Sequence, residues 1–532
     1  MKKTIISALL VSAAICANAQ NMDDALTFSE NHYEGTARSM ALGNAMTALG
    51  GDLGSIGINP AGSAVSNFSQ FTITPSISMS AMTSSYSPDV YTDHYGAVEA
   101  SRTRFTMPNI GFNFVWDTYR KHGLKSMAFG FISNTTRNYN SNMSSWGENG
   151  NSSMFQSYAY DAYGYTPDML NSFSSSAPWD YSVAYQSGLI SKVSGTDDYV
   201  GVTEIVTGLP DGSLDFKVPG ILEQGYDRRT AGTKQDIVMN FGMNFDDRLF
   251  LGVNLGMPTF EYALDEGYRE TPVNPEEFSF DYDDMGTVSL SEARKDYSYR
   301  ASATGIYAKF GVIWLPFKGL RLGAAYQTPT QFEIEEKYQV SGSTVIMRGQ
   351  DGTRDYYDAQ SPVGEYSYYL YAPSRFNVGA AYTIGRSALV SVDYERANYG
   401  RMKYDDLPYD GTYVNGDFPK TNEYMREHGA AQSMLRAGVE FKPVQAFAIR
   451  GGYTQMSNSV VDFKAATRSY AFGVGYSSPG SFFMDYVVRM TNHPDSFFSP
   501  YTDCISDSCE YTPEIRATKT TFDIALTLGF RF

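Results

Sequence analysis

The chain has 532 residues, of which 15% are aromatic, with 48 glycines, 41 tyrosines and a formal charge of −17. Its mean hydropathy is negative. No apolar run beyond the first twenty residues is long enough for a spanning helix, which excludes a helical membrane protein. The acidic balance argues against nucleic acid or an anionic membrane surface as a partner.

The amino terminus has the pattern of a secretory signal peptide. Lys2 and Lys3 precede an apolar run, and the run closes on the small-x-small sequence Ala17-Asn18-Ala19. We therefore predict that residues 1–19 are a signal peptide, whose loss takes the formal charge from −17 to −19. Cys16 follows Ile15 rather than a small residue, which argues against a lipid anchor.

Two cysteines remain in the mature chain, Cys504 and Cys509, and both lie in a polar, acidic stretch. An exposed loop in an oxidising compartment favours a local disulfide between them. The alternative, a metal-binding pair, has only His493 nearby.

Fourteen stretches of the mature chain alternate between apolar and polar residues, as half-exposed strands do. An even number of such strands is typical of bacterial single-chain membrane barrels. The predicted strands lie at 71–79, 110–116, 127–131, 237–245, 249–257, 306–314, 320–326, 376–384, 390–394, 435–441, 447–453, 470–476, 482–490 and 520–532.

The connections between these strands alternate in length from the first hairpin to the last. Outer-membrane barrels have short periplasmic turns and long outer loops, whereas a soluble sandwich has no reason to sort its loops this way. The pattern predicts an all-β fold, a transmembrane antiparallel barrel of about 14 strands over residues 68–532. Long loops are predicted at 81–107, 137–234, 263–296, 336–367, 398–431, 457–466 and 491–518.

The predicted outer loops are rich in Tyr, Ser, Asn, Gly and Asp and have too few aliphatic residues for a separate core. The largest, 137–234, exceeds ordinary connection lengths, so we expect it to fold over or into the barrel mouth. Its apolar piece Val183 to Ile190 either lines a ligand entrance or pins the loop down, and both interpretations stay open.

Residues 20–67 precede the first strand and need a place in the fold. A barrel of this size is too wide for side chains alone to fill, so we expect this segment to be a hatch that plugs the lumen. Gly35 to Leu49 predicts a short helix rich in small residues, ended by Gly50-Gly51. The glycine spacing here matches no phosphate-binding fingerprint.

The stretch ARSMALGNAMTALGGDLGSIGINPAG (37–62) resembles the amino-terminal hatch of the FadL/OmpP1/TodX family of outer-membrane transport proteins. Its residues Asn59, Pro60 and Ala61 match the NPA motif of that family. Weaker similarity continues through 309–330, 375–395 and the closing strand. The resemblance implies a fourteen-strand monomeric barrel, plugged by the hatch, that passes long-chain fatty acids or other hydrophobic small molecules inward. We predict no cofactor. The size of loop 137–234 departs from better-known members and leaves the ligand open.

The resemblance also implies that ligand leaves sideways through an opening where the third strand is kinked. That strand is predicted at 124–136, and Gly130, between Phe129 and Phe131, is the candidate for the break because glycine in a strand often marks a bulge. The other interpretation is that Gly130 only lets the plug lie close to the wall.

Two other functions stay open beside transport. The Bacteroides-type branch that the tyrosine-rich loops resemble includes proteins labelled haem receptors, and His32, His94 or His428 would then bind the iron. A surface structural or adhesive barrel is the other alternative. The five histidines show no arrangement with serine and acid, so we predict that the protein is not an enzyme and has no metal site.

The last predicted strand, TTFDIALTLGFRF, places Phe522, Ile524, Leu526, Leu528 and Phe530 on one face and Asp523 and Thr527 on the other. We expect it to pair with the first strand near 71–79, with the apolar face toward outer-membrane lipid and the polar face toward the lumen. The terminal Phe532 resembles the signal that barrel assembly machinery recognises. The predicted location is the outer membrane of a Gram-negative bacterium.

Overall fold

The computed structural model describes residues 21–174, 177–210, 212–282, 285–349, 352–385, 387–407, 418–461, 463–503 and 509–532. Residues 1–19 and Cys504 lie outside these ranges. The signal peptide and the Cys504–Cys509 disulfide therefore stay predictions.

Most of the described chain is β-strand. The first strands are β1 (Gln70–Ser87), β2 (Tyr95–Asp117), β3 (Leu124–Asn138), β4 (Ser141–Asn149), β5 (Ile190–Lys192), β6 (Tyr199–Gly201), β7 (Ile205–Gly208), β8 (Leu214–Lys217), β9 (Leu222–Phe245), β10 (Leu249–Pro272), β11 (Ser279–Tyr282) and β12 (Gly286–Trp314). They are followed by β13 (Leu320–Gln327), β14 (Thr330–Arg348), β15 (Thr353–Gln360), β16 (Gly364–Ala372), β17 (Arg375–Ile384), β18 (Ala388–Asn398), β19 (Lys403–Asp406), β20 (Ala431–Val444), β21 (Phe447–Met456), β22 (Thr467–Ser477), β23 (Phe482–Asn492), β24 (Ser496–Phe498) and β25 (Glu514–Arg531).

The helices are short. They lie before the first strand, between β4 and β5, and in the outer loop between β19 and β20. The α-helices are α1 (Met22–Ser29), α2 (Ala37–Ala41), α3 (Leu53–Ile56), α4 (Met154–Asp161), α5 (Pro167–Leu170), α6 (Trp179–Gln186) and α7 (Phe418–His428), and a 3₁₀ helix covers Pro60–Val65. None of the helices in the described part of the chain has the length and apolarity needed to cross a membrane.

The strands form one closed antiparallel barrel of fourteen wall strands, as predicted. Five wall strands are each built from two consecutive segments: β3 with β4, β13 with β14, β16 with β17, β18 with β19, and β23 with β24. The barrel closes where β1 pairs with β25, as predicted, with Phe71 opposite Phe530 and Ile77 opposite Ile524. Closure leaves no unpaired sheet edge in the lipid.

The outer face of the barrel carries an apolar band. On β25, Ile524 and Phe530 are 44% and 50% exposed, whereas Asp523 and Thr527 are 3% and 0% exposed and face inward, as predicted. The same alternation recurs around the wall, where Phe112, Phe131, Phe310, Val392, Phe441 and Phe472 are exposed. Such a band around a closed barrel is the lipid-facing surface of an outer-membrane protein.

The wall strands continue far beyond this band, and here the predicted loop boundaries are wrong. β1 runs to Ser87 and β2 begins at Tyr95, so most of 81–107 is strand rather than loop. β10 and β12 likewise occupy most of 263–296, and β14 to β16 occupy most of 336–367. The sequence hides these extensions because strands above the lipid need no apolar outer face.

Residues 150–174, 177–210 and 212–221 fold into a cap on the outer end of the barrel, with α4 to α6 and two small hairpins. As expected, the cap has no separate core, and its apolar side chains are buried against the wall extensions. Phe155, Leu170 and Leu189 are buried together with Tyr268 and Leu290 of the wall extensions. Aromatic and alanine side chains of the wall supply much of this shared core.

The apolar piece Val183 to Ile190 pins the cap in place. Val183, Leu189 and Ile190 are each 1% exposed. The buried Glu270 of β10 adds a polar anchor, because its carboxylate accepts hydrogen bonds from Ser153 Oγ at 2.5 Å and from the Met154 backbone N–H at 2.9 Å.

Residues 21–69, named here the inner segment, lie inside the barrel. The segment begins with α1 and ends directly before β1. The predicted helix over Gly35 to Leu49 is wrong in extent, since only Ala37–Ala41 is α-helical. Gly43 and Asn44 have φ angles of 61° and 57°. This left-handed pair ends the helix after little more than one turn.

Replacing Leu526 by Arg places a charge in the middle of the lipid-facing band of β25. We expect the free energy of unfolding from lipid vesicles, measured by denaturant titration, to fall by about 2–4 kcal/mol. Thr518 lies on the same face of the same strand above the band. Thr518→Arg is therefore the matched control, and an equal loss for both variants would contradict the assigned membrane position.

Candidate functional site

A row of inward-facing glycines, named here the glycine track, seats the inner segment on the wall. A Cβ atom at Gly252 would lie 2.3 Å from the Pro60 carbonyl carbon, and one at Gly323 would lie 2.1 Å from Thr47 O. Side chains are therefore sterically excluded along this path. The track consists of Gly242, Gly252, Gly311, Gly323, Gly379, Gly438, Gly452 and Gly473 on eight wall strands.

Wall cations satisfy backbone carbonyls of the inner segment, which has little regular structure to satisfy them itself. Lys309 Nζ donates to Gly57 O at 2.7 Å, and Arg321 Nη1 donates to Leu49 O at 2.6 Å. Lys234 Nζ donates to Phe28 O at 2.8 Å. These bonds supply buried backbone carbonyls of the inner segment with hydrogen-bond donors.

Asn59, Pro60 and Ala61 lie at the centre of this seat. Asn59 Nδ2 donates to Thr47 O at 2.6 Å and to Val312 O at 3.1 Å, while its Oδ1 caps the 3₁₀ helix by accepting from the Ala61 N–H. Asn59 thus ties two parts of the inner segment to β12. Pro60 packs where Gly252 and Gly311 leave no side chain.

A cavity of about 360 Å³ lies between the inner segment and the outer halves of β1, β20 to β23 and β25. One part of its lining is apolar, with Met40, Met82, Met434 and Met456. Toward the outside it reaches the loop residues Ser457 to Ser459 and 494–496. Toward the wall it reaches Arg137, Asn138 and Asn140 at the junction of β3 and β4.

The other part of the lining is ionisable and contains two neighbouring histidines. The rings of His32 and His493 stack with centroids 5.9 Å apart and planes 21° apart. Burial, and then the Arg137 guanidinium, lower the pKa of His32 to about 4. Burial and the Lys519 ammonium hold the pKa of His493 well below its usual range. Both rings are therefore neutral at pH 7.

The wall is interrupted beside this cavity, between β2 and β3. Their ladder runs from Asp117–Ser126 up to Asn109–Asn134 and goes no further. Beyond it, the carbonyls of Thr135 and Thr136 accept from the inner segment, from Glu34 N at 3.0 Å and His32 N at 2.6 Å. We call this interruption the slot.

The slot does not lie at Gly130. Phe129, Gly130 and Phe131 are paired without interruption to both β2 and β9. The bulge of β3 lies between Thr135 and Arg137. A Cβ at Gly130 would lie 3.4 Å from Asn240 Cβ and 3.5 Å from Ile56 Cδ1, which are ordinary van der Waals distances, so the inner segment does not require glycine there.

The sequence carried no signal that would bring His32 to His493, which are far apart in the chain. The two other histidines considered for iron lie elsewhere, His94 at 3.2 Å from Glu514 and His428 stacked 4.0 Å from the Tyr424 ring. Within the described ranges, no group of three or more His, Cys, Asp and Glu side chains is placed to hold a metal ion.

No protein-family model and no curated protein matches the chain. Among solved structures, a FadL homologue of Pseudomonas aeruginosa aligns with a TM-score of 0.51 at 10% identity, covering 95% of this chain and 99% of that one. The chain has the FadL fold. The toluene transporter TodX of P. putida aligns with a TM-score of 0.47 at 13% identity, covering 95% of this chain and 99% of that one.

In this FadL-fold barrel, Gly452→Val is expected to unseat the inner segment, because a Cβ there would lie 2.2 Å from Gly43 N. Valine suits a strand, so the wall itself should remain intact. We expect ion conductance in planar bilayers to rise about tenfold as the lumen fills with water.

Gly451→Val is the matched control on the same strand. Its nearest neighbour would be Val439 Cγ2 at 3.6 Å, with no contact to the inner segment. Equal conductance in both variants would mean that the glycine track does not seal the lumen.

Proposed function

We propose that the protein belongs to the FadL family and carries hydrophobic compounds inward across the outer membrane, through the cavity and out through the slot. The observation that carries this proposal is the continuity of one cavity from the outer loops at 457–459 to the slot at Arg137. The FadL fold supports it.

The inner segment explains why such a path would turn sideways. It occupies the lumen along the glycine track and is tied to the wall by Lys309, Arg321 and Lys234. A solute in the cavity therefore meets a closed lumen in the axial direction. The slot leads instead toward the outer-membrane lipid, and we propose that residues 20–67 act as the hatch that enforces this turn.

The cavity lining suits an amphiphilic ligand such as a long-chain fatty acid. An alkyl chain gains about 0.8 kcal/mol for each methylene that leaves water, and four flexible methionines offer it an adaptable apolar wall. Arg137 and Lys519 lie on the same cavity and provide positive charge for a carboxylate. The proposed ligand class is therefore hydrophobic compounds, with fatty acids as the specific candidate.

A haem receptor is the second candidate, because the structure places His32 and His493 side by side in the cavity. Haem iron takes histidine ligands, and arginine or lysine suits its carboxylates. Added hemin would then give an absorption band that shifts when either histidine is replaced. No such shift would remove this candidate and leave the transport proposal standing.

Ser469→Trp tests the path by filling it. Ser469 lines the cavity, where its hydroxyl lies 2.9 Å from that of Thr491. An indole there would occupy much of the cavity, so we expect binding of a fluorescent fatty acid, and its uptake by cells, to fall about tenfold.

Arg468→Trp is the matched control, because Arg468 is the neighbouring residue on the outer face of β22. Tryptophan is at home at a membrane interface, so this variant should bind and transport like the parent protein. Unchanged uptake in Ser469→Trp would overturn the proposed path.

A further inference from the structure

The inner segment crosses beneath the slot as an extended stretch, residues 30–34, between α1 and α2. Alternate residues of this stretch, Glu30, His32 and Glu34, are ionisable and reach different parts of the wall. The backbone of the stretch pairs with the bulge of β3 through His32 N and Glu34 N. The stretch therefore bridges β3 to the far side of the cavity.

Each ionisable group of the stretch has a charged or ionisable partner on the wall. Glu30 Oε2 lies 2.6 Å from Arg137 Nη1 of β3, and the ring of His32 stacks on that of His493, just after β23. Glu34 Oε1 lies 3.5 Å from Arg489 Nη2, which also binds Asp523 at 2.8 Å. Proton-sensitive contacts thus hold the stretch at both ends.

We propose that residues 30–34 form a proton-controlled latch, in which protonation of the His32–His493 pair releases this stretch from β3 beside the slot. The latch rests on the proposed function, since it regulates the same cavity and slot.

Charges around the histidine pair explain why its protonation would release the stretch. Arg137 and Lys519 lie on the same cavity as the pair, and Lys234 of β9 binds the Glu30 carbonyl. The nearest acid is Glu30, whose Oε2 lies 3.6 Å from His32 Nε2, but the same oxygen already binds Arg137 Nη1 at 2.6 Å. Two added positive charges would therefore meet mainly positive charge in a confined lumen, where screening by water is weak.

The direction of the pH effect follows from the pKa values in the docked state. Burial and Arg137 lower the pKa of His32 to about 4, so its contribution to docking is complete above its ordinary pKa and is lost as pH falls toward 4. Burial and Asp523 raise the pKa of Glu34 to about 8. The Glu34 contribution is complete below its ordinary pKa and is lost as pH rises through 8.

Because the contributions of His32 and Glu34 change with pH in opposite directions, residues 30–34 are held to the wall most strongly near neutral pH. On the acid side Glu34 offsets one histidine, but His32 and His493 both lose their contributions, so acid releases the latch. On the alkaline side Glu34 and Asp523 face each other as two carboxylates with Arg489 between them.

The test uses the full mature protein in lipid nanodiscs without added ligand. Hydrogen exchange of the peptide covering residues 30–34, corrected for the intrinsic effect of pH, reports release of the stretch. We expect exchange to rise about tenfold or more between about pH 6.5 and pH 4.5, while wall strands stay protected. In His493→Gln the rise should shrink to about twofold.

Two further variants make the test specific. Glu34→Gln should keep the acid response and abolish the alkaline one, and His122→Gln, at a histidine that is 94% exposed, should respond like the parent protein. No acid response in the parent, an equal response in His493→Gln, or loss of protection in the wall strands at the same pH would overturn the latch. Since no ligand is present, these results are independent of the uptake measured with Ser469→Trp.

Discussion

The constraint that shapes this protein is the need to fill a lumen that its own wall side chains cannot fill. A barrel of fourteen strands is wide, and the inner segment that occupies it has only three short α-helices and one 3₁₀ helix. Its backbone polar groups therefore find partners on the wall, as Lys309 and Arg321 show. The glycine track allows the close approach on which these bonds depend. The cavity lies where the inner segment and the wall are not in contact.

The barrel was predictable because lipid imposes a pattern that a sequence displays. Each wall strand within the lipid-facing band needs an apolar outer face and a polar inner face, so the fourteen strands and the pairing of the last strand with the first could be predicted. Above the lipid that requirement ends. The extensions of β10 and β12 consequently looked like loops, and the core of the cap, shared with wall residues such as Tyr268, was not visible as a separate apolar pattern.

The candidate site was predictable only in part. The resemblance carried by Asn59, Pro60 and Ala61 pointed to the inner segment, and the slot borders β3. Its position at Thr135 and Thr136 could not be predicted, because the cause is a pairing of two carbonyls with distant residues of the inner segment rather than a glycine. The meeting of His32 with His493 likewise depends on the closure of the barrel, which no local pattern encodes.

The central claim, that hydrophobic molecules occupy the cavity on their way to the slot, is tested most directly by mass spectrometry of molecules that co-purify with the protein from native membranes. Elongated apolar molecules in near-equal amount to the protein, displaced by an added fatty acid, are the predicted result. Finding haem alone, or no apolar molecule at all, would contradict it.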